Sequence, residues 1–146
     1  MACPICESIA LLRAGRHARS LAELSETFAV LGDNQGTKGW CVLLLKEHVE
    51  HLAELPVARQ ARVFEDVARV AAAQRKVFGP VRINYECLGN QVAHVHWHVI
   101  PRHADDPDPR NPVWGWKAEV LGKQLPEAEL AAILAGLREA IRLKPG

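Results

Sequence analysis

Three histidines alternate along one short segment, and they are the residues best suited to chemistry in this chain. His94, His96 and His98 are separated by single apolar residues, so on a β-strand the imidazoles form one row while the apolar side chains face the opposite way. Imidazole binds transition metals and can also act as a covalent nucleophile near neutral pH. The row therefore indicates either a metal site or a site in which one imidazole is a covalent nucleophile and its neighbours orient phosphate oxygens, and its geometry alone does not decide between them.

A pair of cysteines near the N-terminus offers further ligands. Cys3 and Cys6 have the C-x-x-C spacing of a zinc knuckle. A closed tetrahedral zinc site needs two more ligands, so the pair alone indicates a metal only weakly. Cys41 and Cys87 lie in apolar strand-like segments, and we interpret them as small buried side chains.

A β-sheet must hold the histidine row, and the neighbouring segments supply its strands. Residues 81–87 alternate in hydrophobicity, and a turn at 88–91 leads to the predicted strand 94–100 through a connection too short for a parallel crossover. The apolar run 40–45 is typical of a strand buried on both faces, and 21–31 fits one or two more strands. We therefore expect a mainly antiparallel sheet of about five strands.

Helices are expected to cover this sheet. Helical spacing of apolar residues predicts a short helix over 3–14, a long helix over 56–77 that Gly79-Pro80 ends, and a C-terminal helix over 126–143. We predict that the long helix buries the face formed by Ala61, Phe64, Val67, Ala68, Ala71 and Ala72. The predicted fold is a single α+β domain over 1–146, with its core at about 3–114.

The composition excludes several classes of protein. The chain is 49% hydrophobic and 24% charged, which is typical of an ordered domain. Its net charge of +1 gives no general attraction to nucleic acid or anionic membranes, so we expect neither as a partner. No apolar run approaches the roughly 20 residues that span a bilayer, and the N-terminus lacks the pattern of a secretory signal. These features favour a cytoplasmic protein.

The segment 94–102, HVHWHVIPR, resembles the signature of the histidine triad (HIT) family, in which three alternating histidines precede two apolar residues and often Pro-Arg. Leu88-Gly89-Asn90 is similar to the family's approach to that strand, and Ile83-Asn84 is similar to its upstream asparagine. The resemblance covers about 3–114 and is strongest to bacterial members that act on diadenosine polyphosphates. Histidine at position 98 favours the hydrolase branches over the uridylyltransferase branch.

The resemblance implies a mechanism and a homodimeric protein. His96 would attack the α-phosphorus of a dinucleoside polyphosphate, or of a nucleoside phosphoramidate or ester, and water would then hydrolyse the nucleotidyl-histidine. His98 would donate to phosphate oxygens or to the leaving group, and His94 completes the catalytic row. Three amide side chains are expected to bind the substrate: Asn84, Asn90 and Gln91. No catalytic cofactor is implied.

The resemblance also implies a structural zinc ion. Its four ligands would be Cys3, Cys6, His48 and His94. His51 is the alternative ligand if the alignment with the family is shifted by a turn. The chain departs from the family at Trp40, where many members have a fourth histidine, and we interpret Trp40 and Trp97 as core packing. Two other functions stay open: a metalloenzyme in which the three alternating histidines share one ion, and a nucleotide-binding module without turnover.

Overall fold

Five antiparallel strands form one sheet in the computed structural model, which describes residues 2–143. The strands are β1 (Ser20–Glu23), β2 (Thr27–Leu31), β3 (Cys41–Leu45), β4 (Arg82–Glu86) and β5 (His96–Arg102). Their order across the sheet is β1-β2-β3-β5-β4, so β1 and β4 form its edges. The helices are α1 (Pro4–Arg13), α2 (Val57–Phe78), α3 (Ala118–Leu121) and α4 (Glu127–Arg142). This architecture confirms the predicted α+β class.

Helices cover both faces of the sheet, but they leave part of one face open. α2 and α4 pack on the first face over the largest apolar cluster, which includes Leu43, Val70, Val99 and Leu137. α1 covers part of the second face, over β2 and β3. Because His96 and His98 lie opposite Leu44 and Val42 of β3, they occupy the same face as α1. The fold therefore places the N-terminal cysteines and the histidine row on one side of the sheet.

Most element boundaries agree with the sequence pattern. The strand β3 is central and nearly all buried, as its continuous apolar run predicts. α2 ends at Gly79, whose φ of 56° is the left-handed conformation that glycine adopts most easily. β5 begins two residues later than predicted and extends to Arg102, because Arg102 pairs with Arg82, the first residue of β4. His94 therefore precedes the strand.

The buried face of α2 differs from the predicted one. Phe64 is 49% exposed, and Ala61 and Ala68 are also exposed, so that part of the prediction is wrong. Two polar residues, Asp66 and Gln74, are buried instead. The periodicity of apolar residues predicted the wrong face, because polar side chains occupy positions on the face that is buried.

Asp66 and Gln74 are buried because they satisfy backbone groups of the sheet. The Asp66 carboxylate accepts hydrogen bonds from the backbone N–H groups of Ser25, Glu26 and Thr27 at 2.8 to 3.2 Å, and from the Thr27 hydroxyl at 2.9 Å. The Gln74 amide donates to two backbone carbonyls, each at 2.8 Å. A buried polar group without such partners costs free energy, so these bonds specify how α2 docks.

Replacing Asp66 with asparagine is expected to lower the free energy of unfolding by about 2 kcal/mol, because one acceptor oxygen becomes an NH2 group facing backbone donors. Urea denaturation monitored by circular dichroism measures the loss. Asp33→Asn is the matched control, since the Asp33 side chain is 97% exposed, and its effect should stay within about 0.5 kcal/mol. Equal stability of Asp66→Asn and the wild type would contradict the docking role.

Candidate active site and metal centre

His96 has its two ring nitrogens in different environments. Its Nδ1 lies 2.6 Å from the backbone carbonyl oxygen of His94. A carbonyl oxygen only accepts, so Nδ1 carries the proton and the lone pair is on Nε2. This is the tautomer in which imidazole can attack an electrophile through Nε2.

His98 has the opposite arrangement. The indole Nε1 of Trp40 lies 3.2 Å from His98 Nδ1 and donates to it, so the proton of the neutral His98 ring is on Nε2. Burial, assisted by the nearby His96, lowers the pKa of His98 to about 4. The His96 and His98 rings are 5.2 Å apart between centroids, so a ring with a lone pair on Nε2 and a ring with a proton on Nε2 lie side by side.

These two histidines line an open cavity of about 390 Å³, within the range of small-molecule sites. Its lining residues are Asn34, Leu88, Gly89, Asn90, Gln91, Val92, His96, His98 and Trp114. The structure thus brings two of the predicted substrate contacts, Asn90 and Gln91, to the histidines. A larger cavity of about 440 Å³ near Lys38 and Lys123 contains neither His96 nor His98, so we assign no reaction to it.

Asn84, the third predicted substrate contact, lies outside this lining. Its Oδ1 accepts a hydrogen bond of 2.8 Å from Arg102, which is only 4% exposed. Arg102 also forms an ion pair with Asp106 at 2.6 Å and donates to the backbone oxygens of Asp108 and Asn111. Asn84 therefore helps to hold the proline-rich segment that follows β5.

Asn34 and Glu86 lie near the histidines but escaped the sequence analysis as site residues. Asn34 and Trp114 line the cavity, and Glu86 lies opposite His98 in the register of β4 and β5. Trp114 donates to the Glu86 carboxylate at 2.5 Å, and its ring contacts Trp40 and His98 edge-on. Asn34 follows a buried strand, which is a signal that could have identified it as a site residue.

Four potential metal ligands meet beside the start of β5. The ligand atoms of Cys3, Cys6, His48 and His94 all lie within 4.8 Å of one another. Nδ1 of His94 is 3.5 Å and 3.6 Å from the two sulfurs, and Nδ1 of His48 is 3.3 Å from Cys6 Sγ. His51 is not in this cluster, and among residues 2–143 no second group of this kind is found.

The chemistry of this cluster suits zinc. Two sulfurs and two imidazole nitrogens form a usual structural zinc set, and bond lengths of about 2.0 to 2.3 Å place neighbouring ligand atoms about 3.5 Å apart in a tetrahedron. Nε2 of His94 is 2.8 Å from the Leu45 carbonyl oxygen and must donate to it, so Nδ1 keeps its lone pair toward the cysteines. Burial lowers the pKa of His94, which favours the neutral ring that a metal needs.

His94 connects this cluster with the cavity. Its ring is directed to the cysteines through Nδ1, and its backbone oxygen accepts the proton of His96 Nδ1. A single ion shared by the three alternating histidines is not favoured, because both ring nitrogens of His94 are directed elsewhere, to the cysteines and to the Leu45 carbonyl oxygen. In addition, Nε2 of His98 carries the proton, since Nδ1 accepts from Trp40. His94 is therefore placed to fix the orientation of His96.

Comparison with known proteins decides the family. The family model described as HIT domain matches residues 15–105, which is well over half of the chain. The chain belongs to the HIT domain family. HIT proteins bind nucleotides and are typically nucleotide hydrolases or transferases, although some are not catalysts.

Individual HIT proteins resemble the chain at different levels. Protein hit of Bacillus subtilis is 33% identical over 86 residues, which cover 56% of this chain and 59% of that protein. The crystal structure of a histidine triad protein from Sinorhizobium meliloti superposes with a TM-score of 0.75 at 28% identity, covering 88% of this chain and 93% of the other. A zinc-bound histidine triad protein from Mycobacterium smegmatis shares the fold, with a TM-score of 0.62, 24% identity, and coverage of 96% and 98%.

The remaining predictions for this HIT chain have mixed outcomes. Trp40 is buried as predicted, with 1% of its surface exposed, and Trp97 is partly buried. Cys41 is buried, which raises the pKa of its thiol to about 12, but Cys87 is exposed just beyond the edge strand β4. Within residues 2–143, no helix is long and apolar enough to cross a membrane.

Proposed function

We propose that this HIT protein hydrolyses dinucleoside polyphosphates through a covalent nucleotidyl intermediate on His96, as the bacterial diadenosine polyphosphate hydrolase-like branch would. The observation that carries the proposal is the orientation of His96. Its Nδ1–H is bound to the His94 carbonyl oxygen, and its Nε2 lone pair is free in a cavity that also contains His98. Phosphoryl transfer depends mainly on such positioning and on neutralising oxygen charge.

The reaction would proceed in two displacements. Nε2 of His96 attacks the α-phosphorus, and the bridging P–O bond breaks with its electron pair leaving on the departing nucleotide. The His94 carbonyl oxygen would stabilise the imidazolium through Nδ1–H, while Nε2–H of His98 and the amides of Asn90 and Gln91, which line the same cavity, would donate to phosphate oxygens. Water then attacks phosphorus, the P–N bond breaks, and the electron pair returns to Nε2 as the water proton leaves to solvent.

A substrate panel tests this proposal. The purified protein is incubated with dinucleoside polyphosphates, nucleoside phosphoramidates and adenylated peptides, and released mononucleotide is measured by chromatography. We expect release from at least the dinucleoside polyphosphates. Nucleotide binding without release from any member of the panel would instead indicate a binding module.

We infer that the Cys3, Cys6, His48 and His94 cluster holds a structural zinc ion. The likeness to a zinc-bound protein of the same fold supports this inference, as does the donor set itself. With four protein ligands the ion would have no open position, so it would cross-link α1 to the segment before β5 and supply no reactive water. No catalytic cofactor is part of the proposed reaction, and a cytoplasmic location stays a proposal.

We also infer that the protein is a homodimer that pairs through β4. Among the strands described, β4 bonds only to β5, so its outer backbone groups are open to a second strand. Exposed apolar side chains lie on and just before that strand: Val81 is 65% exposed and Tyr85 is 51% exposed. A two-fold axis would bring the same edge of a second copy against this surface.

Tyr85→Glu is expected to convert such a dimer to monomers, because the substitution places a charge in the apolar part of the interface. Sedimentation equilibrium measures the change, with the wild type at twice the mass of one chain. Leu11→Glu introduces the same charge at an exposed apolar position on α1, over the other sheet face, and should remain dimeric. A monomeric wild type, or a dimeric Tyr85→Glu, would contradict the interface.

A further inference from the structure

Trp40 contacts the triad from the core side of the cavity. It is 1% exposed and packs with Ile100 and Val113, so its position is fixed by the fold. Its Nε1 lies 3.2 Å from His98 Nδ1, and the two ring centroids are 5.6 Å apart at an interplanar angle of 74°. The partner of His98 is thus a rigid, buried indole.

An indole N–H donates a hydrogen bond but cannot accept one, whereas a hydroxyl, a side-chain amide or a histidine can do both. Nδ1 of His98 must therefore keep its lone pair, and an imidazolium would bring Nδ1–H against the indole N–H. The titratable groups that face His98 are His96 on the same strand and Glu86 opposite on β4. The Glu86 carboxylate accepts from Trp114, and burial together with His96 opposes a charge on His98.

We propose that Trp40 is a positioning residue that holds His98 as a neutral Nε2–H donor, so that His98 binds a substrate oxygen but transfers no proton to the leaving group. For His98 to release its remaining proton, an imidazolate would have to form. This inference deepens the proposed function and rests on it, because it specifies which leaving groups the His96 site can expel.

The consequence is a preference for phosphoanhydrides. When the P–O bond of an anhydride breaks, the electron pair remains on a phosphate oxygen, which is stable as an anion and needs no proton. When the P–N bond of a phosphoramidate breaks, the leaving nitrogen must gain a proton, which a general acid normally supplies. A site whose His98 cannot act as that acid favours dinucleoside polyphosphates over nucleoside phosphoramidates.

The tautomer can be measured without any turnover. Two-bond 1H–15N correlation spectra of the metal-containing protein as purified distinguish Nδ1–H, Nε2–H and doubly protonated rings, and His98→Asn identifies the His98 signals. We expect only the Nε2–H form from pH 5 to 8 in the wild type. In Trp40→Phe, which keeps an aromatic ring but lacks the donor, Nδ1–H should appear, and a doubly protonated ring should become detectable toward pH 5, because no indole N–H then opposes a proton on Nδ1.

A wild-type His98 that is protonated on Nδ1, or a tautomer that Trp40→Phe leaves unchanged, would overturn the proposal. If Trp40→Phe does not fold, the wild-type spectrum alone decides.

A kinetic readout links the tautomer to leaving-group choice. The ratio of kcat/KM for adenosine phosphoramidate to that for diadenosine polyphosphate is compared between the wild type and Trp40→Phe, and we expect it to rise about tenfold in the variant, since a titrating His98 can supply the proton. An unchanged ratio overturns the leaving-group role. If neither substrate is hydrolysed while the Nε2–H tautomer is observed, the proposed hydrolase function fails but the role of Trp40 in placing the proton stands.

Discussion

Replacing His96 with asparagine is expected to lower kcat/KM for dinucleoside polyphosphate hydrolysis by about 10⁴-fold or more, because the covalent nucleophile is lost. Asparagine retains a side-chain N–H that can still bind the His94 carbonyl oxygen, so the start of β5 should remain in place. Steady-state release of mononucleotide measures the effect.

The matched control for this variant is His103→Gln. His103 packs on Phe78 and donates to the Lys38 carbonyl oxygen, on the side of the molecule that holds the other cavity. We expect its activity to stay within about twofold of the wild type, as for most substitutions outside a reaction site. A His96→Asn variant with more than about a tenth of wild-type activity would show that His96 is not the nucleophile.

Loss of one cysteine ligand is expected to remove the metal and to destabilise the whole fold. In Cys6→Ser, metal analysis of the purified protein should show the zinc content falling well below one ion per chain, because three ligands bind the ion much less tightly than four. The melting temperature should fall by about 10 °C, which corresponds to about 3 kcal/mol for a domain of this size. Thermal unfolding followed by circular dichroism measures the melting temperature.

Cys87→Ser is the control that distinguishes loss of a metal ligand from loss of a thiol elsewhere in the chain. Cys87 is a free, exposed cysteine outside the cluster, so the metal content and the melting temperature of Cys87→Ser should match those of the wild type. Because His94 holds His96 through its backbone oxygen, hydrolysis by Cys6→Ser should also fall, to about the fraction of the protein that is still folded. A Cys6→Ser variant that keeps its zinc, or that loses zinc without a change in melting temperature, would contradict a structural role.

Local sequence patterns predict the elements of this fold well where each pattern has one physical cause. β3 is a central strand because a continuous apolar run suits burial on both faces, and α2 ends where Gly79 permits a left-handed conformation. The face of α2 could not be predicted in the same way. Asp66 and Gln74 are buried by hydrogen bonds to residues 25 to 41 positions away in the chain, and periodicity of apolar residues contains no such signal.

Prediction of the site from the sequence has the same limit. Spacing alone points to His96 and His98, and the turn before β5 brings Asn90 and Gln91 to the same cavity. Trp114 and the contact between Trp40 and His98 depend on packing between distant segments. Asn84 was expected at the substrate, but its position opposite Ile100 brings it to the buried Arg102.

Trapping the covalent intermediate tests the central claim most directly. The protein is mixed with a dinucleoside polyphosphate labelled on the α-phosphate, quenched within milliseconds, and analysed by peptide mass spectrometry. We predict an acid-labile nucleotidyl group on His96 that forms and decays within one turnover and is absent from His96→Asn. A complete turnover with no covalent adduct, or with the adduct on another residue, would contradict the assignment of His96 as the nucleophile.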